Sequence, residues 1–554
     1  MLGRTLAIPL AFVLALALAG GAAAHALHDG VRGAPPPATT GTSPAATAAA
    51  FVVTGHGWGH GIGMSQYGAL GYAQLGITYD QILVHYYPGT ALGPAPASKV
   101  RVLLVANRKK LRVGSDAPFR VADGTGIARQ LPAGDYAFGP DLALQLDPAA
   151  PPVALTGPLT FTPGTAPLRL KHAYRGTIEV SVVDGKLQAI NTVGLEPYLY
   201  GVVPREMPSI WAAEALKAQA VAARSYALVS PKIGDFDLFA DTRSQVYGGL
   251  EAETPATTAA VDATAGQVLL YNGEVARTYF FSTSGGKTAA VTDVWPDADP
   301  MPYLVSVDDP YDSLSPYHDW GPVVFPAASV AKKLQVPGLL DLRTTRTASG
   351  RVGSVLAIGS GGQVTIRAVA FRAQLGLRST WFRIGVLALT VPGVPVVYGR
   401  PVSLAGLVRG VKGVSLEQRA APAGWQPVAP VTPARDGTFS TVTRPTATTS
   451  YRLTSGDATG TPARVRVAPL VRLYRPKGAA TLSGKVRPLL PGATVELQRL
   501  DETGTLWTTV ATAVVDDKGD FVVPLQPVPG TYRAWLAPGQ GFAAGTSRVL
   551  QVTS

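Results

Sequence analysis

The apolar positions change period several times along the chain, and each change marks an element. Residues 6–18 form an unbroken apolar run behind Arg4, interrupted only by one proline, and small residues follow at 22–26 (AAAHA). A basic start, a short apolar stretch and an Ala-x-Ala site predict an export signal over 1–26. The run is marginal for a membrane span, which needs about 20 apolar residues, so membrane contact is expected only through this segment if it stays uncleaved. Residues 27–50, ending in PPPATTGTSPAATAAA, show no apolar period and predict a flexible lead-in.

A short strand over 51–54 then enters a loop with glycine at 55, 57, 59, 61 and 63. The spacing turns helical over 65–75, with Ser65 as N-cap, and a second short helix over 79–86 is halted by Pro88-Gly89. Between 98 and 195 the period falls to two, in runs such as VRVLLVA, FRVAD, LTFTP and TIEVSVVDG, with turns such as Asp184-Gly185 between them. One long helix is expected over 209–229. Strands resume at GQVLLYNG, YFFSTSGG and YLVSV, and LRSTWFRIG closes the domain near 386. Beyond it a pattern repeats with an offset of about 82 residues, Trp425 answering Trp507, Phe439 Phe521 and Arg452 Arg533. The expected fold is therefore α+β: a strand-rich domain over 98–386 with one long helix, then two small immunoglobulin-like β-sandwich repeats over 387–469 and 470–554. The repeats carry no catalytic constellation and read as spacer or adhesion modules.

Composition narrows the chemistry. The chain has no cysteine, which excludes disulfide staples and thiolate catalysis in an exported protein. Its net charge of +12 is spread along the chain and favours polyanionic partners. Export and the absence of an Arg/Lys-rich helix argue against nucleic acid. The secreted protein is expected in the cell wall.

Candidate chemistry concentrates in 198–226, YLYGVVPREMPSIWAAEALKAQAVAARSY. Glu206 falls in a loop just before the expected helix. Lys217 and Arg224, seven residues apart, share one stripe of it. From spacing alone, an exposed helical face with a loop carboxylate explains this as well as a charged cleft wall does.

The segment closely resembles the signature of the stage II sporulation protein D (SpoIID/LytB) family, in which a tyrosine and GVV precede an EMP triplet and EALKAQAVAARSYA. Further family elements follow in order: DTRSQVYGG at 241–249, YFFSTSGGKT at 279–288, DVW at 293–295, PYLVSV at 302–307 and LGLRSTWF at 375–382. HGWGHGIGMSQYGA also looks like a family element, here preceding the domain, an order associated with actinobacterial members. It implies that 51–97 docks on the main domain from the other end.

The resemblance implies a lytic transglycosylase cleaving peptidoglycan glycan strands freed of stem peptides, with Glu206 as its single catalytic acid/base. It implies substrate-binding or site-organising roles for Lys217, Gln219, Arg224 and Tyr226 of the helix, and for Gln245 and Tyr247 of the DTRSQVYGG run. The same roles extend to Ser282, Thr283, Ser284, Gly285 and Gly286 as a cleft-lining loop, and to His56, His60, Ser65 and Gln66. Without the resemblance, the TSGG run reads equally well as a tight turn. Some family members bind zinc through Cys and His at the stretch that is 239–244 here. That stretch has neither, so no metal is expected, and no other cofactor. Val203, Met207, Ile210 and Trp211 would raise the pKa of Glu206, while Arg205 and Lys217 would lower it. Two other readings remain open: a non-catalytic peptidoglycan-binding protein that enhances a cell-wall amidase, and a structural adhesin. A sporulation role does not follow from the family's name.

Overall fold

The computed structural model describes residues 45–96, 99–147, 149–230, 232–539 and 541–553. The expected export signal and residues 27–44 of the lead-in lie outside them. The remainder of the lead-in differs from expectation, because Ala46–His56 is a strand. It pairs antiparallel with Phe382–Val391 along nearly its whole length, and with Asp319–Pro326 on its other side. The alanine-rich run suggests low complexity, yet from Ala48 onward the side chains alternate between two faces of the sheet. Ala49, Phe51 and Val53 enter a core with Trp320, Phe371 and Phe382, whereas Val52 packs on the opposite side with Leu387 and Leu389.

This arrangement divides the expected 98–386 domain between two cores. The first draws its buried residues from Ile62 to Leu304. The second combines Ala49 to Val53 with residues from Trp320 to Ala388. The five-stranded sheet is ordered Asp319–Pro326, Ala46–His56, Phe382–Val391, Val402–Arg409, Thr438–Thr443, and its other face covers the third core, where Leu404, Leu416, Tyr451 and Val465 are fully buried. The first C-terminal repeat is thus joined to the second core through one continuous sheet. The second repeat closes around its own core, including Leu497, Tyr532 and Leu536.

Five helices frame the site in the first core. Helix α1 (Gln66–Gln74) is capped by Ser65, whose Oγ accepts the Gly68 N–H at 3.1 Å. Helix α2 spans Tyr79–Tyr86, as its pattern predicts. Helix α3 (Leu195–Glu206) was not expected. Leu195, Tyr198, Leu199, Val202 and Val203 are all buried, at the spacing of one helical face, although Gly201 and Pro204 argue against a helix. Gly201 has a steric reason: a Cβ there would lie 2.7 Å from the Tyr247 ring. Pro204 falls in the last turn, where the helix ends two residues later.

Helix α4 spans Ala213–Val229 and starts four residues later than the pattern implied. Residues 208–211 form a turn instead, in which the Trp211 N–H donates to the Pro208 carbonyl at 3.0 Å. Most of α4 is buried, because its alanines let α1, α2, α3, α5 (Pro255–Ala263) and the strand Gln267–Tyr271 approach from several sides. Beside these helices lies a seven-stranded sheet containing Lys99–Arg108, Lys186–Gly194 and Thr177–Val183 at its centre. Among the described residues no helix is long and apolar enough to cross a membrane.

Candidate active site around Glu206

Glu206 is the last residue of α3 instead of a loop residue. This placement disfavours a negative charge twice. The carbonyl end of a helix carries partial negative charge, and the side chain is largely enclosed. Burial pushes its carboxyl up to about 7, against two hydrogen bonds that favour ionisation. One comes from the Val246 N–H to Oε1 at 3.2 Å, the other from Gln66. No charged neighbour is among these influences.

Of the apolar residues expected to enclose it, Val203 and Met207 are buried, whereas Ile210 is 90% exposed. The opposing cations are turned elsewhere. Arg205 is exposed, with its Nε beside Gly248, and Lys217 pairs with Glu214 at 2.6 Å.

The pKa direction sets a stability test. The unfolded carboxyl loses its proton near 4.5 and the folded one near 7, so between these values the native state holds a proton that the unfolded chain has shed. Stability must therefore fall as pH rises through this window and stay lower above it. Glu206→Gln removes that cost. It is expected to stabilise the protein at pH 8 by about 2 kcal/mol, discounted for partial exposure, and to leave it unchanged at pH 4. Thermal melts of both proteins at the two pH values check this.

The structure brings Gln66 and Gln219 to Glu206. Gln66 Nε2 donates to the Glu206 carbonyl at 3.1 Å and to Gln219 Oε1 at 3.3 Å, tying α1, α3 and α4 together. Tyr198 and Tyr226 lie close enough for an ionised Glu206 to repel their phenolates. Gln245 accepts from the Tyr198 hydroxyl at 3.2 Å and donates to the Ala223 carbonyl at 3.3 Å. Tyr247 donates to Asn191 Oδ1 at 3.1 Å. Both side chains anchor the segment whose Val246 N–H holds the carboxyl.

Other expected site residues lie apart from Glu206. Arg224 shares no cleft wall with Lys217. Its guanidinium is fully buried, donating to both Glu196 oxygens at 2.9 and 2.6 Å and to the carbonyls of Gln267 and Val261 at 2.9 and 3.3 Å. The TSGG hydroxyls do not face a cleft either. Thr283 bonds Ser315 at 2.7 Å, and Ser284 donates to buried Asp312 at 2.9 Å. Ser282 is buried and bonds Thr283 at 3.1 Å.

Gly285 and Gly286 have φ of +80° and +106°, and a Cβ on Gly285 would lie 2.5 Å from that of His56. These glycines let the run press against the glycine-rich loop, with which Thr283 exchanges backbone bonds at Trp58 of 2.8 and 3.0 Å. His60 is buried between the Phe280 carbonyl and the Ile62 N–H, both at 3.0 Å, and burial drives its pKa down to about 3. It stays neutral. His56 pairs with Asp319 at 2.5 Å.

A zinc ion does not fit the residues present at 239–244. The carboxylate there, Asp241, is engaged by Arg243 at 2.7 Å, and that guanidinium stacks on Phe239.

The sequence reading missed several residues at this docking surface. Asp309 and Asp312 are fully buried beside Gly68 of α1 and residues 284–286, and burial with the neighbouring Asp312 raises Asp309 to about 6. Arg351 is buried against the Ser284 and Lys287 carbonyls. Their clue was Asp309-Pro310-Tyr311-Asp312, a pair of carboxylates after the YLVSV run, which forms no strand here. The pair has no meaning until Gly68 and Ser284 are placed against it.

The site is that of an α+β protein in which one carboxyl, isolated from other charges, ends a helix beside a glutamine bridge. The family described as "Stage II sporulation protein" matches residues 183–271, the elements that position Glu206. Stage II sporulation protein D of Bacillus amyloliquefaciens is 31% identical over 242 residues, covering 39% of this chain and 68% of that protein. Its counterpart in Bacillus subtilis (strain 168) is 34% identical over 231 residues, covering 37% and 64%. An amidase enhancer of Bacillus subtilis (strain 168) is 42% identical over 114 residues, covering 21% of this chain and 15% of that protein. The chain belongs to the stage II sporulation protein D family. It spans about two thirds of the length of the stage II proteins and a much smaller share of the amidase enhancer.

Proposed function

We propose that this protein is an exported peptidoglycan lytic transglycosylase with Glu206 as its acid and base. The observation that carries the reading is a single partly buried carboxyl held near pKa 7 with no charged neighbour among its influences. Hydrolytic glycosidases use two carboxylates about 5–10 Å apart. Asp309 and Asp312 are fully buried, and Tyr86, Ser284 and His318 occupy them. One carboxyl suffices if the substrate supplies the nucleophile.

Protonated Glu206 donates to the glycosidic oxygen as the C1–O bond breaks, and the substrate's acetamido oxygen stabilises the cationic C1. The resulting carboxylate takes the proton of the sugar's 6-hydroxyl, and O6 closes on C1. The product is a 1,6-anhydromuramoyl end. The proton returns to Glu206 and no water is consumed. The Val246 N–H holds the carboxyl in both protonation states. The two C-terminal β units are read as immunoglobulin-like spacers that hold this domain in the wall.

Because the first step needs the protonated acid, kcat/KM on denuded strands is expected to fall as pH rises through about 7, the folded pKa. A profile measured from pH 5 to 9 checks this. A profile that rises through the same range would assign Glu206 to a different step.

The similarity to an amidase enhancer supports a second reading, in which the chain binds glycan and stimulates a separate amidase. Purified protein that leaves glycan ends unchanged, yet accelerates amide cleavage by an added amidase, would favour it.

A further inference from the structure

The mechanism leaves unused a cluster on the outer side of the glycine-rich loop. Trp58 meets Tyr317 edge-on, with ring centres 4.3 Å apart. The Arg378 guanidinium lies 4.3 Å from the centre of the Tyr317 ring and 5.1 Å from that of Trp58. All three side chains are partly exposed. They come from separate segments that backbone bonds lock together: the Gly59 N–H donates to the Arg378 carbonyl at 3.0 Å, and Trp58 exchanges bonds with Thr283.

Among the described residues Arg378 makes no ion pair. The exposed carboxylate of the neighbouring strand, Asp319, is held by His56 at 2.5 Å, and buried Asp312 is held by His318 at 2.7 Å. A guanidinium stacked on rings but without an anion keeps its fork of N–H groups available for a carboxylate.

The aromatic path continues toward Glu206. Burial and the nearby Tyr317 raise the pKa of the Tyr67 hydroxyl. The Tyr67 ring packs edge-on against Trp211 at 4.8 Å, and Trp211 belongs to the turn just after Glu206. Gln66, next to Tyr67, reaches the Glu206 carbonyl.

We propose that Trp58, Tyr317 and Arg378 form a subsite for an anionic sugar, a muramic acid residue of a denuded strand. Arg378 pairs with the lactyl carboxylate while the rings pack on the apolar face of the sugar. The inference rests on the glycan-cleaving reading and gives it a basis for selection. Removing a stem peptide converts a neutral lactyl amide into a carboxylate on the same sugar. A peptide-bearing strand offers Arg378 no such charge and adds bulk at that atom. The subsite therefore favours strands that an amidase has already processed.

The test uses the full chain carrying Glu206→Gln, so that binding is read without cleavage. Calorimetric titration compares denuded strands, peptide-bearing strands and an N-acetylglucosamine oligomer, which has no lactyl group. Adding Arg378→Gln is expected to weaken binding of denuded strands about tenfold, the loss of one charged hydrogen-bonded pair, and to leave the oligomer unchanged. Arg378→Lys should restore part of the loss, which a merely structural role would not require. Equal weakening for both ligands, or no weakening, would overturn the subsite while leaving the glycan reading intact. A parent protein that binds none of the three would overturn both.

Discussion

Glu206→Gln is expected to lower cleavage of denuded glycan strands by about 10²–10⁴-fold, the span associated with a positioned acid/base. Glutamine keeps the size of the side chain and still accepts the Val246 N–H, so α3 and its packing should survive. The variant should also bind glycan as the parent does, placing the loss in kcat and not in KM. The same substitution is expected to raise stability at pH 8. An inactive protein that is at least as stable as the parent separates a lost proton donor from a lost fold. Residual activity within a few-fold of the parent would remove Glu206 from the chemistry.

The second large effect concerns Arg224. Arg224→Met is expected to cost about 3 kcal/mol, because the Gln267 and Val261 carbonyls lose their buried donor and the partly exposed Glu196 loses its partner. Lys217→Met should cost less than about 1 kcal/mol, since the Lys217–Glu214 pair is partly open to water. Denaturant melts of the two variants check the contrast. Glycan binding by folded Arg224→Met protein should match the parent, as Arg224 touches α3, α5 and the strand Gln267–Tyr271 instead of a cleft. Equal costs for the two substitutions would contradict this placement.

These two cations show where the sequence is legible and where it is not. Their spacing correctly puts them on one helix, because EALKAQAVAARSY has the composition and period of α4. It does not say which cation is buried. That depends on Glu196, which lies 28 residues upstream on a helix the pattern concealed. Helix α3 was hidden by GVVP, whose glycine and proline normally break helices. Its apolar positions 195, 198, 199, 202 and 203 carry the correct period, and Gly201 is present because the Tyr247 ring occupies the space of a side chain.

The strand Ala46–His56 is a different case. Its short alanine-rich sequence becomes a central strand only through Phe382–Val391, more than 300 residues away, a partnership that no local pattern encodes. The TSGG run was ambiguous for the same reason. Its hydroxyls look available until Asp312 and Ser315 are placed beneath them.

In the proposed reaction Glu206 cleaves glycan by internal transfer to the 6-hydroxyl of the sugar. Mass analysis of denuded strands after incubation with purified protein tests it most directly. The parent protein is expected to form new ends that are one water lighter than reducing ends and carry no label from ¹⁸O-water, and Glu206→Gln is expected to form none. Labelled reducing ends would show that water attacks C1, and would contradict a mechanism built on one carboxyl.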